Sequence, residues 1–274
     1  MKDFTLTTYR NLLQCIQQSG YAFHTFEDWC DGKAKSQYVI LRHDVDLKAL
    51  NSLKVAKIEA EMGIRASYYF RVVPQSSQPE IIQSIADLGH EIGYHYEDLS
   101  LFQGDKDKAI EHFKLQLAHF RQFYCVRTIC MHGSPTSKWD NRDLWKFYDY
   151  RDYGIVGEPY LDFLSDIGEL NSTISYFTDT ARMWDGDKYN FRDKILVNKL
   201  NLSQNNRKVD VEESLKIHST YDLINWLKTM PANKKIMITT HPQRWTDKPV
   251  DWLMELLFQS FKNSIKKHLV KTIR

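Results

Sequence analysis

Histidines and carboxylates recur in this 274-residue chain at one kind of place, directly after short apolar runs. His43, Asp44 and Asp46 follow Tyr38-Val39-Ile40-Leu41, His95 and Glu97 close the run that starts at Glu91, His132 follows the run 126–131, and His241 follows Ile236-Met237-Ile238-Thr239-Thr240. Residues two apart in an extended chain project from the same side, so Asp44 pairs with Asp46 and His95 with Glu97. Carboxylates and imidazoles gathered in one place suit a divalent ion with oxygen and nitrogen ligands. Zinc leads, with manganese, iron, cobalt and nickel behind it. A carboxylate left over can act as general base toward a water. Each residue alone has a plainer use as a helix cap or a hydrogen-bonded surface group, and Asp46 could simply cap the helix after it. Four such sites in register favour the shared-site reading.

The elements that must position these side chains alternate along the chain. Tyr9, Leu12, Leu13 and Ile16 fall at i, i+3, i+4 and i+7, which predicts an amphipathic helix over 7–19 ending at Gly20. Strands are expected at 38–41, 66–70, 91–95, 126–131, 174–177 and 236–240, with helices at about 50–62, 79–88, 106–122, 220–229 and from about 250. The segment 139–160 is rich in aromatics, and 201–212 is polar. Serial strand–helix alternation without an interrupting linker predicts an α/β fold, either a parallel barrel or a doubly wound sheet. In both, loops after the carboxyl ends of the strands converge on one face.

Composition narrows the function classes. Forty-two per cent apolar and 26% charged residues, with 11 Gly and 7 Pro, describe a globular chain with a sizeable core. Thirty-seven basic against 35 acidic residues leave a net charge of +2, which gives no global case for nucleic acid. Cys15, Cys30, Cys125 and Cys130 form no C-x-x-C pair and suit a reducing compartment. With no signal-peptide pattern at the first residues and no apolar run of spanning length, a cytoplasmic location is expected.

Three motifs together resemble a known family. Leu41-Arg42-His43-Asp44-Val45-Asp46, Gly89-His90-Glu91-Ile92-Gly93-Tyr94-His95 and Thr240-His241-Pro242 are similar, in order and rough spacing, to the signatures of the polysaccharide deacetylases. This is the NodB-homology superfamily of carbohydrate esterases, and the chain looks closest to a subset with His-Asp-Val-Asp in its first motif. The resemblance spans about 38–245 and implies a single domain over 1–274, folded as a distorted seven-stranded β/α barrel with extra helices at both ends. It also implies a metal-dependent hydrolase that removes an acetyl group from an N-acetylated sugar or glycan precursor in bacterial surface-polysaccharide synthesis.

Carried over position by position, the resemblance makes Asp44 the general base and His241 the general acid. Asp46 stands for the ligand aspartate, because Val45 occupies the family position. His95 matches the first ligand histidine. Leu99 falls where the second belongs, so Glu97 or His132 completes the metal site, with His43 a weaker candidate. Asp179, Arg182 and Trp184 occupy the region of the family's aspartate–tryptophan loop, and with Trp245 they are expected to wall a sugar site, although core packing is the equal alternative for the aromatics. His90, His218 and His268 are read as structural. The rival functions are another C–N hydrolase on the same barrel, of deformylase or imidase type, and a non-catalytic carbohydrate-binding relative. Finally, Phe261, Ile265, Leu269 and Ile273 fall four apart among Lys262, Lys266, Lys267, Lys271 and Arg274. Such a helix either lies on an anionic membrane surface or docks on the barrel with its lysines in water.

Overall fold

The computed structural model describes residues 2–34, 36–134, 137–164, 174–184, 196–197, 217–229 and 234–273, with 196–197 and 265–273 as backbone only. The expected polar stretch at 201–212 lies outside the described residues, as do the side chains of Ile265, Lys266, Lys267, His268, Leu269, Lys271 and Ile273.

Helix α1 (Leu6–Gln18) starts where the Thr5 hydroxyl accepts from the Thr8 amide, and it buries Tyr9, Leu12, Leu13 and Ile16. Strand β1 (Ala22–His24) and the short helix α2 (Phe26–Cys30) follow, and neither was expected from the sequence. The rest runs β2 (Tyr38–Val45), α3 (Ala49–Glu61), β3 (Ser67–Phe70), α4 (Pro79–Asp87), β4 (Glu91–Tyr96), α5 (Asp98–Leu101), α6 (Lys106–Phe120) and β5 (Ile129–Met131). After an irregular aromatic segment come β6 (Ile174–Thr178), β7 (Leu196–Val197), α7 (Thr220–Thr229), β8 (Lys235–Thr240) and α8 (Pro249–Ile273).

The strands form one sheet in the order β5-β4-β3-β2-β8-β6-β7, with β1 beside the start of β2. Every pairing is parallel except β6 with β7. The sheet curls into a half-barrel. Among the described residues no ladder joins β5 to β6. An isolated parallel bridge, Thr128 to Gly157, extends the β5 edge, and beyond it the Tyr160 ring reaches to 6.4 Å from Tyr176 of β6.

Strand alternation divides β2 between two environments. Tyr38 and Ile40 pack inside the curl with Phe163, Tyr176 and Met237, whereas Val39, Leu41 and Val45 join the larger core beneath the helices. Arg42 and Asp44 continue the inner series toward the carboxyl end. This run is wholly buried, as a central parallel strand requires.

Candidate metal centre

Asp46 lies just past the end of β2, and its carboxylate is the hub of the site. His132 Nε2 stands 3.5 Å and His95 Nε2 3.7 Å from its Oδ1, and His241 Nε2 stands 3.9 Å from its Oδ2. These three imidazoles arrive from β4, the end of β5 and the end of β8, so strands distant in sequence deliver them to one rim. Oδ1 of Asp46 is buried and accepts no hydrogen bond, while Gln243 Nε2 donates to Oδ2 at 3.4 Å. Burial alone would raise the Asp46 pKa, but His132, His241, His95 and Arg71 hold it well below the usual carboxylate range. Asp46 is no cap for α3, whose N-cap is Lys48 in the left-handed region with no side-chain bond.

Each imidazole is oriented through its other nitrogen. His95 Nδ1 donates to the Cys130 carbonyl at 2.9 Å, leaving Nε2 as the atom that faces the carboxylates. Burial lowers the His95 pKa to about 4, and His132 adds to this against Asp44 and Asp46, so the ring is neutral near pH 7. His132 Nδ1 pairs with Glu97 Oε2 at 2.9 Å, and Glu97 Oε1 accepts from Arg71 Nε at 2.8 Å. Glu97 resists burial and falls to about 2, first through its bond from His132 and then through Arg71. The expectation of Glu97 as a ligand is therefore corrected. Both its oxygens are engaged behind the ring of His132, and it is His132 whose free nitrogen reaches the hub.

Asp44 is held by a residue the sequence reading did not single out. Arg42 Nε donates to Oδ1 at 2.9 Å and Arg42 Nη2 to Oδ2 at 2.8 Å, a bidentate pair inside the curl. The same Nη2 reaches Tyr160 Oη at 2.8 Å, with the guanidinium 4.8 Å from that ring. Burial pushes the Asp44 pKa up, but Arg42 and His95 outweigh it and keep the carboxylate below its ordinary value. The spacing Arg42-x-Asp44 on one strand face was the available signal.

His241 is set by Asp179. Its Nδ1 lies 2.6 Å from Asp179 Oδ1, and the same carboxylate accepts the His241 amide, Arg244 Nη1 at 2.7 Å and Trp245 Nε1 at 2.8 Å. Arg244 and His241 hold Asp179 below its ordinary pKa despite full burial.

Of the expected sugar wall, the two tryptophans take the core-packing alternative, and Asp179 and Arg182 are buried with them. Asp179 is saturated by protein donors. Trp184 and Trp245 are fully buried, with indole N–H groups bonded to Thr220 and Asp179. Arg182 donates to the Trp252 carbonyl at 2.9 Å and lies over the Trp252 ring. His43 also points away from the site, bonded to Thr240 Oγ1 at 2.6 Å and Glu59 Oε1 at 2.7 Å. His90 is buried beside the same Glu59, as its structural reading expects.

A second grouping shares His95. Asp44, His95 and Cys130 are all buried and offer ligand atoms within 4.8 Å of one another. Cys130 faces inward between Ile129 and Met131 of β5, two residues before His132, and sequence reasoning passed over it. In this grouping the carboxylate is already committed to Arg42, whereas the Asp46 oxygen is orphaned. The His132 and His95 nitrogens stand 3.5 and 3.7 Å from Asp46 Oδ1, but among the described residues only Asp44, His95 and Cys130 bring their ligand atoms all within 4.8 Å of one another, so the two imidazoles facing Asp46 stand farther apart than that.

Comparison with protein-family models and with curated proteins finds no match to this chain. The residues described above therefore carry the functional reading.

Proposed function

We propose that the protein is a metal-dependent amide hydrolase that removes an acetyl group from an N-acetylated sugar. The observation that carries this reading is the buried, unpartnered oxygen of Asp46 faced by the free nitrogens of His95 and His132. One carboxylate and two imidazoles form a familiar hydrolytic donor set, with zinc favoured by the nitrogen ligands. The motif resemblance described above supports the acetylated sugar as substrate class.

Asp46, His95 and His132 would hold the ion, and when bound it supplies Lewis-acid polarisation of the acyl oxygen and activation of a water. Asp44 is kept ionised by Arg42 and takes the proton of the attacking water as the carbon–oxygen bond forms. His241 Nε2, on the other side of the Asp46 carboxylate, gives a proton to the sugar nitrogen as the carbon–nitrogen bond breaks. Asp179 fixes the His241 tautomer and balances the imidazolium charge, as the acid member of a catalytic pair requires. Acetate and a free amine leave.

Elemental analysis of protein purified without chelator, followed by assay of acetate release from N-acetylated sugars, tests the reading. The parent should hold about one equivalent of metal, with His95→Ala and Asp46→Asn nearly empty. Asp44→Asn and His241→Ala should keep the metal and lose roughly 100-fold or more in turnover. Cys130→Ala should also keep it, and metal loss in that variant would transfer the site to the Asp44–His95–Cys130 grouping. Formate or a ring-opened acid in place of acetate would move the reaction to another C–N bond. A parent that takes up no zinc, cobalt or nickel would overturn the hydrolase.

A further inference from the structure

Helix α8 is amphipathic the wrong way round for a helix that merely packs on a core. Val250, Leu253, Met254, Leu257, Phe258 and Phe261 fall at i, i+3, i+4, i+7, i+8 and i+11, and they are between 47% and 72% exposed. Among the side chains described, its buried residues are instead polar, namely Glu255, Gln259 and Asn263. They tie the helix to the rim of the curled sheet. Glu255 pairs with Lys48 after β2 at 3.1 Å, and Asn263 Nδ2 donates to the Ala181 carbonyl after β6 at 3.0 Å. The apolar stripe Val250–Phe261 thus faces away from the molecule.

Charge identifies the occupant. After Glu255 the chain has no Asp or Glu through residue 274, while Lys262, Lys266, Lys267, Lys271 and Arg274 bring five positive charges. An exposed apolar stripe continuous with an all-basic segment matches a surface that is oily beneath and negative on top. No helix among the described residues is long and apolar enough to cross a membrane, so this one would lie in the surface plane. A second copy of the chain would meet the same positive segment with its own, a repulsive pairing wherever the two segments lie close.

We propose that α8 is an interfacial helix that binds the protein to anionic lipid, with its apolar stripe in the headgroup region and its basic segment on the lipid charges.

Co-sedimentation of the full chain with phosphatidylcholine vesicles containing about 30% phosphatidylglycerol tests this. The protein should pellet with them, stay in solution with phosphatidylcholine alone, and be released as salt rises from roughly 0.1 to 0.5 M. Leu257→Glu/Phe261→Glu changes only exposed positions and should weaken partition by about tenfold or more. Circular dichroism and the thermal midpoint of that variant check that the fold is unchanged. Lys266→Glu/Lys267→Glu should weaken it too and reduce the salt response. A parent that never pellets, that binds both vesicle types equally, or whose binding survives Leu257→Glu/Phe261→Glu overturns the proposal. So does lipid-free self-association abolished by the same double variant, which would assign the stripe to a second copy. Metal content of the same preparations separates this result from the fate of the hydrolase reading.

Discussion

Asp179 and Glu97 show how a carboxylate can govern a site without touching what binds there. Asp179 accepts from His241 Nδ1, so it decides which imidazole nitrogen faces Asp46. Asp179→Asn would present an amide in place of that acceptor and allow the ring to flip its tautomer. Turnover should fall by roughly 100-fold or more with metal content unchanged, measured as kcat beside elemental analysis. Glu97 plays the same part for His132. Glu97→Gln should weaken metal affinity by about 10- to 100-fold, whereas His132→Ala should remove the metal altogether. Equal loss in the two variants, read by zinc competition titration, would restore Glu97 as a direct ligand. Both carboxylates stand at positions legible in the sequence, after β6 and after β4. Their partners were not legible, because those partners come from other strands.

At the scale of elements, the second motif owes its inner glycine to packing. A Cβ at Gly93 would stand 2.4 Å from the Tyr69 ring of the neighbouring strand and 3.0 Å from the Thr128 carbonyl. Tyr69 is itself anchored through its hydroxyl to Thr128 Oγ1 at 2.9 Å, so the ring has little freedom to retreat. Gly93→Ala should destabilise the protein by about 1–3 kcal/mol in urea unfolding. Because Gly93 and His95 lie on the same face of β4, the variant should also bind metal more weakly than the parent. The strands and most helices were legible from periodicity, with ends differing by a few residues. Strands β1 and β7 and helices α2 and α5 were not, being only two to five residues long. Helix α8 was visible as a helix, but its orientation was not. A helical stripe is equally periodic whether it faces a core or a membrane.

For the molecule as a whole, the curl of the sheet places ionisable groups in its interior, with a consequence for stability. Glu91 accepts from Ser67, from Thr128 and from the Glu27 amide, yet burial outweighs these donors and pushes it up to about 7. In the unfolded chain it ionises near 4.5, so between these values the folded state holds more protons than the unfolded state. Its contribution to stability therefore falls as pH rises through that window and stays low above it. The span corresponds to roughly 3 kcal/mol as an upper figure. Urea midpoints at pH 5 and pH 8 should show this decline in the parent and a smaller one in Glu91→Gln. An equal decline in both would mean that Glu91 is ionised in the fold across the range.

The order of elements and the strand-end placement of Asp44, Asp46, His95, His132 and His241 follow from the sequence alone. Apolar periodicity and two-residue alternation are local properties, and they say where a strand stops and which residues share its side. Which of these side chains converge, and what stands behind each, was decided only by the tertiary structure. The pairing of β2 with both β3 and β8, and the curl that brings β4 and β5 to the same rim, set Glu97 behind His132 and Asp179 behind His241. The same packing buried Trp184 and Trp245 and turned the apolar face of α8 outward. Burial and orientation depend on which distant surfaces meet, a property that no local window of residues contains.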